Sequence, residues 1–146
     1  MESAIPITLQ RLDDQIGWYD GKSQSAQRWF KVLKIAQLVI AGLIPLASVF
    51  PIPAPEKVAS VLGLLILIVE GVQQLNQYQA NWISYRSTCE ALRHEKFLFE
   101  AKAGPYSNSE RPLELLAERV EGLISQEHAK WISAHQEAEK SKAQPQ

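Results

Sequence analysis

Two stretches of this chain have no polar face. Between positions 38 and 49 the lone polar side chain is Ser48, and between 58 and 69 it is Ser60. A helix on the surface of a soluble fold carries a polar stripe at 3.6-residue spacing, whereas a helix that is apolar all round is either fully buried or in lipid. The apolar segments 35–50 and 58–69 flank Phe50-Pro51-Ile52-Pro53-Ala54-Pro55. Helices do not continue through such a run, because proline lacks the N–H that the next turn needs. The chain therefore makes an apolar helical hairpin, which is either the core of a small soluble bundle or a segment that crosses a membrane twice.

Length separates these alternatives only in part. About 20 mostly apolar residues cross roughly 30 Å of hydrocarbon, and runs of 10–14 more often belong to core helices. The first stretch, interrupted by Gln37 and Ser48, reaches spanning length when extended back to Trp29. Trp29 and Phe30 suit an interfacial aromatic belt, and Lys31 and Lys34 can snorkel to headgroups. The second needs Pro53 to Pro55 at one end and Gly71-Val72 at the other, and then carries Glu70. A chain of 146 residues is one domain by length. A three-helix domain of that size has no evident way to bury two helices that are apolar all round, and the membrane reading is preferred.

Charge distribution sets the expected orientation. Arg11, Lys22, Arg28, Lys31 and Lys34 precede the first stretch, and Arg86, Arg93, Lys96 and Lys102 follow the second. Glu56 and Lys57 are the only charges between them. The positive-inside bias puts both termini in the cytoplasm and the Pro-rich turn outside. A net charge of −1 gives no reason to expect nucleic acid as a partner. Cys89 is the single cysteine, which excludes an intrachain disulfide. Residues 1–30 show no apolar core followed by a cleavage site, so no signal peptide is expected.

The polar flanks read as helices with heptad-like seams. Leu9, Leu12, Ile16, Tyr19, Ser23, Ala26, Phe30 and Leu33 recur at alternating spacings of three and four. Leu75, Tyr78, Trp82, Tyr85, Cys89, Leu92, Lys96 and Phe99 repeat the pattern. No Pro or Gly lies between Val72 and Ala103, which predicts one helix from about Pro55 to Ala103, roughly 70 Å long. Gly104-Pro105 ends it, and Ser107-Asn108-Ser109 with Pro112 opens a third helix. Leu113, Leu116, Val120, Leu123 and Ile124 stripe that helix, closed by Trp131. The expected architecture is all-α, a membrane hairpin of two transmembrane helices continued into a cytoplasmic three-helix coiled-coil-like bundle. It is one domain over 1–140. A cytoplasmic helix covers 8–33, the spans cover 30–50 and 55–74, and an external loop covers 51–56. The cytoplasmic extension of the second span covers 75–103, a cytoplasmic helix covers 110–138, and 141–146 is a frayed tail.

Three segments carry a family resemblance: Asp13-Asp14-Gln15-Ile16-Gly17-Trp18-Tyr19-Asp20, the run from Gln74 to Phe97 that includes Tyr85-Arg86-Ser87-Thr88, and Ala103-Gly104-Pro105-Tyr106. Together they resemble the SLATT superfamily of small two-span membrane proteins, closest to its bacterial domain-of-unknown-function branch, number 4231 in that series. The resemblance runs from about Leu9 to about Trp131. It implies a two-span helical fold with cytoplasmic termini in the bacterial inner membrane, and a pore-forming or channel-like role. Relatives are often fused to or neighboured by nucleotide-sensing domains in bacterial conflict systems, which implies a nucleotide-sensing or regulatory protein among the partners.

Glu70 is the sharpest functional candidate, because an ionisable group in a span faces water or a bundle interior. Gln73, Gln74, Gln77 and Asn81 continue from it at turn spacing as a polar strip. In a homo-oligomer that strip lines a cation-attracting vestibule, as carboxylate rings do in cation pores. The plainer reading leaves Glu70 hydrated at the membrane's cytoplasmic edge. Arg86 is expected in a structural ion pair, with Glu90 or with Asp13, Asp14 or Asp20, and ligand or anionic-lipid binding is its alternative. Trp18, Trp82 and Trp131 are expected in the core. Nothing supplies a third metal ligand beside His128 and His135, and no phosphate loop, nucleophile elbow or zinc motif is present, so neither an enzyme nor a cofactor is expected. The functional expectation is a homo-oligomeric, ion-conducting or membrane-permeabilising protein. The alternative is a membrane-anchored interaction protein that docks a partner without conduction.

Overall fold

The structure is a computed structural model, and it describes residues 6–51 and 53–143. Among these residues four α-helices follow one another: α1 (Ile7–Val49), α2 (Pro55–Asn76), α3 (Tyr78–Glu100) and α4 (Pro112–Ala143), with a 3₁₀ turn at Gly104–Tyr106 between α3 and α4. Among the described residues there is no strand. Two compact units result. Residues 6–21 and 84–143 form a three-helix unit, and Lys22–Ile83 form a hairpin unit.

In the hairpin unit, α1 carries Pro45 internally and continues to Val49. Ala54 takes the left-handed conformation (φ 57°), and Pro55 then starts α2, where its missing N–H costs nothing because the first turn has no partner for it. Both α1 and α2 contain segments long and apolar enough to cross a membrane, and only 6% of each such segment is buried. Leu38, Val39, Leu43 and Leu46 on α1, and Val61, Leu64, Leu67 and Ile68 on α2, all stand exposed. The two small seam residues Ser23 and Ala26 are buried, at 2% and 8% exposure.

The continuous helix expected from Pro55 to Ala103 is interrupted. Gln77 adopts φ 45° and ψ 39°, which ends α2, and α3 restarts at Tyr78. An amide side chain covers one of the carbonyls that the break frees, that of Asn76, and a second bonds back within α2. Asn81 Nδ2 donates to the Asn76 carbonyl at 2.9 Å, and Asn76 Nδ2 donates to that of Val72 at 2.9 Å. The Gln77 N–H keeps its bond to the Gln73 carbonyl at 2.9 Å. The break also moves Leu75 off the predicted seam, leaving it 81% exposed. At 22 residues α2 is about 33 Å long, close to the hydrocarbon thickness of a bilayer.

The three-helix unit closes over Leu12, Tyr19, Cys89, Leu92, Tyr106, Leu116 and Val120. The seam of α1, the α3 seam from Tyr85 and the α4 stripe all contribute, as their spacing predicts. Ile16, Phe99, Leu123 and Ile124 pack against this cluster. Leu113, on the predicted α4 stripe, stands exposed, and Leu115 packs on the core in its place; two further positions differ from the pattern. Lys96, on the predicted seam, is only partly buried, and the neighbouring Glu95 is buried instead. Trp18, expected in the core, is half exposed, with its ring edge-on to Tyr19 (4.9 Å) and Tyr85 (5.9 Å). Tyr19 fills the core place beside it. The side chains of Trp131 and His135, and residues 144–146 of the expected tail, lie outside the described residues, while α4 runs to Ala143.

Candidate functional site

At one end of the apolar segments in the hairpin unit, polar side chains of α1 and α2 find one another. Gln37, on α1, donates its Nε2 hydrogen to Glu70 on α2 at 2.9 Å. Its Oε1 accepts from Gln73 Nε2 at 3.1 Å and from Lys34 Nζ at 3.3 Å. Lys34 Nζ also lies 3.6 Å from Glu70 Oε2. A lone polar side chain on an apolar helix needs a partner, because an unpaired amide away from water costs about 1–3 kcal/mol. Here Gln37 uses both ends of its amide. Gln73 is the most enclosed member, 9% exposed, while Lys34 and Glu70 keep 47% and 41% of their side chains open.

This network forms one wall of a groove of about 530 Å³. Lys34, Glu70, Gln73, Gln74 and Gln77 supply its polar lining, and Phe30 and Ile83 are apolar lining. Four of the five polar-strip residues predicted from sequence are thus brought together. Asn81 is not among them, because its amide is spent on the Asn76 carbonyl at the helix break. Sequence reasoning missed Gln37 and gave Lys34 a different role. The available signal was Gln37 itself, an amide interrupting an apolar run in a chain whose other apolar helix ends in a carboxylate.

The second predicted cluster lies in the three-helix unit and is structural in form. Arg86 pairs with Glu90 at 2.6 Å and with Asp20 at 3.4 Å, and Arg93 reaches the same two acids at 3.1 and 3.5 Å. Two cations and two anions thus balance. Asp13 pairs with Lys96 at 2.6 Å, which raises the lysine's pKa. Asp14 joins neither pair; with Arg11, Trp18 and His128 it lines a separate groove of about 480 Å³. Burial pushes the Cys89 thiol up, consistent with a core residue. Among the described residues, no three His, Cys, Asp or Glu side chains are grouped to hold a metal ion.

A family model matches residues 14–113, which takes in the whole hairpin unit, all of α3 and the 3₁₀ turn. The chain belongs to that family, described as protein of unknown function (DUF4231). Comparison with curated proteins and with solved structures finds no match. Within this DUF4231 chain the matched span holds both apolar helices, every member of the Lys34–Gln37–Glu70–Gln73 network and the Arg86–Asp20–Glu90–Arg93 ring. It stops at the start of α4.

Proposed function

We propose that this DUF4231 chain is an integral membrane protein of the SLATT type, whose hairpin crosses the bilayer twice and assembles with further copies into an ion-conducting pore. One observation carries the reading: both apolar helices expose their side chains, with 6% of each apolar segment buried. A core helix of a soluble protein is mostly buried, and an apolar surface this long stays in solution only if lipid or other chains cover it. The basic flanks support a topology with both termini on the cytoplasmic side of the bacterial inner membrane. Two helices do not enclose a path, so conduction needs several subunits. The groove holding Glu70, Gln73, Gln74 and Gln77 is then the cytoplasmic vestibule, with Glu70 the group that draws cations.

The test is flux from liposomes containing the purified protein, alongside the mass of the detergent-solubilised complex. E70Q is expected to reduce the preference for cations over anions. Unchanged permeability ratios would remove Glu70 from the path, and a monomeric mass would remove the pore.

One observation favours a second reading, a membrane-anchored interaction protein whose helical unit docks a regulatory partner. Glu70 is already matched by Lys34 of its own chain, so it need not serve a passing ion. Assembled protein that releases no ions under any ligand supports the anchor.

A further inference from the structure

The groove of the hairpin unit combines a hydrogen-bonded acceptor pair with a loosely held cation. The acceptors are Glu70 Oε2 and Gln37 Oε1. Gln37 is held from two sides, donating to Glu70 at 2.9 Å and accepting from the nearly buried Gln73 at 3.1 Å. Both oxygens lie near one point. The group at that point is Lys34 Nζ, 3.3 Å from one oxygen and 3.6 Å from the other. It sits at the end of a four-carbon stem whose side chain is 47% exposed, and the second contact exceeds ordinary hydrogen-bond length. Ion pairs this open are held weakly and exchange with solvent. The acceptors are therefore built in, while their occupant is tethered but replaceable.

We infer that Glu70 and Gln37 form a binding site for a primary ammonium ion, and that Lys34 is its built-in occupant. An ammonium group suits the site because it has several hydrogens to donate and carries the positive charge that complements the Glu70 carboxylate. Gln73 is a positioning residue, since it orients Gln37 without reaching the ammonium. The groove beyond Lys34 is large enough for a small amine from solvent, at about 530 Å³. The binding site stands on this geometry. Its consequence for ion passage, that Lys34 partly plugs Glu70, rests on the conduction reading above.

Two readouts separate them. The first is thermal stability of the full chain in detergent, titrated with methylammonium chloride at constant ionic strength. A ligand that binds only the folded state raises its stability. K34A is expected to gain stability saturably, the native protein little, and K34A/E70Q not at all. Tetramethylammonium, which has no hydrogen to donate, is expected to stabilise none of them. If K34A fails to assemble, K34S takes its place. No gain for the Lys34 variant, or an equal gain with E70Q added, would overturn the site. The second readout is cation flux from liposomes. K34A is expected to pass cations roughly one-and-a-half to fivefold faster than the native protein, with methylammonium reversing the gain and K34R showing none. A stabilised K34A whose flux equals the native flux overturns the plug alone. Stabilisation with no flux from any variant overturns conduction and leaves the ammonium site standing.

Discussion

Arg119 of α4 grips Glu95 of α3 with both prongs of its guanidinium, Nε at 2.8 Å from Oε2 and Nη2 on Oε1. Tyr106 of the 3₁₀ turn donates its hydroxyl to the same Oε2 at 2.8 Å. One carboxylate with 7% of its side chain exposed thus ties together three consecutive elements of the three-helix unit. Bidentate geometry and burial make this pair stronger than the exposed ones around it. Arg119→Leu leaves Glu95 enclosed without its counter-charge, and is expected to cost about 2–3 kcal/mol. Chemical unfolding of the detergent-solubilised full chain measures it. A loss no larger than that of Arg111→Leu, whose pair with Glu114 is exposed, would show the link to be ornamental.

Acid should weaken the same link. The hydrogen bonds from Arg119 hold the Glu95 carboxyl below its ordinary value of 4.5, and burial opposes them only in part. A depressed carboxyl pKa means that the unfolded chain takes up the proton first. The contribution is therefore complete above about pH 4.5 and is lost as pH falls through the lower folded value. Melting temperature should decline in this range more steeply for the native protein than for Glu95→Gln. Equal slopes would place the acid sensitivity elsewhere.

At alkaline pH two phenols act in the opposite direction. Burial, with Glu127 beside Tyr19 and Glu95 beside Tyr106, pushes both from 10.0 up to about 12. The unfolded chain then loses these protons first. Stability present below pH 10 drains away between 10 and about 12 and levels off above. Tyr19→Phe removes one such group and also the donor that reaches Glu127 at 3.3 Å. It is expected to lower stability at neutral pH by about 1 kcal/mol while flattening the alkaline decline. Unfolding curves at pH 7, 10 and 12 distinguish the two effects.

Periodicity revealed the helices and most of the three-helix core, because burying one face of a helix leaves a mark every three or four residues. Leu12, Tyr19, Cys89 and Leu92 fall where that mark predicts. The polar partners were harder to read. Gln37 and Glu70 are 33 positions apart, and only the hairpin turn between them sets their register, so nothing local announces the bond. Trp18 and Tyr19 are adjacent aromatics with one place in the core between them; the α1 seam selects Tyr19, and the expectation of Trp18 in the core rests on its size alone. The break at Gln77 escaped because helices are expected to end at Gly or Pro. Here the Asn81 side chain offers the Asn76 carbonyl an alternative bond across the break, a competition that leaves no gap in the apolar pattern.

That break yields the last prediction. A non-glycine residue at φ 45° bears a steric cost of about 1–2 kcal/mol, which glycine avoids. If the tertiary fold imposes the break, Gln77→Gly relieves the strain and is expected to match or exceed native stability by up to about 1 kcal/mol. Gln77→Val, branched at Cβ, should lose at least as much as glycine gains. Should the break instead be only locally preferred, Gln77→Ala would let α2 and α3 fuse, since alanine favours the continuous helix. The two cases differ in sign for alanine. An imposed break makes Gln77→Ala neutral to destabilising with unchanged helix content, whereas a local one makes it more stable and more helical. Circular dichroism and melting of the three variants in one detergent decide between them. Asn81→Leu provides the cross-check, because it uncovers the Asn76 carbonyl only where the break persists, and is expected to cost about 1 kcal/mol in the native background. In a chain already fused by Gln77→Ala, that carbonyl is bonded within the helix, and the same substitution should cost almost nothing.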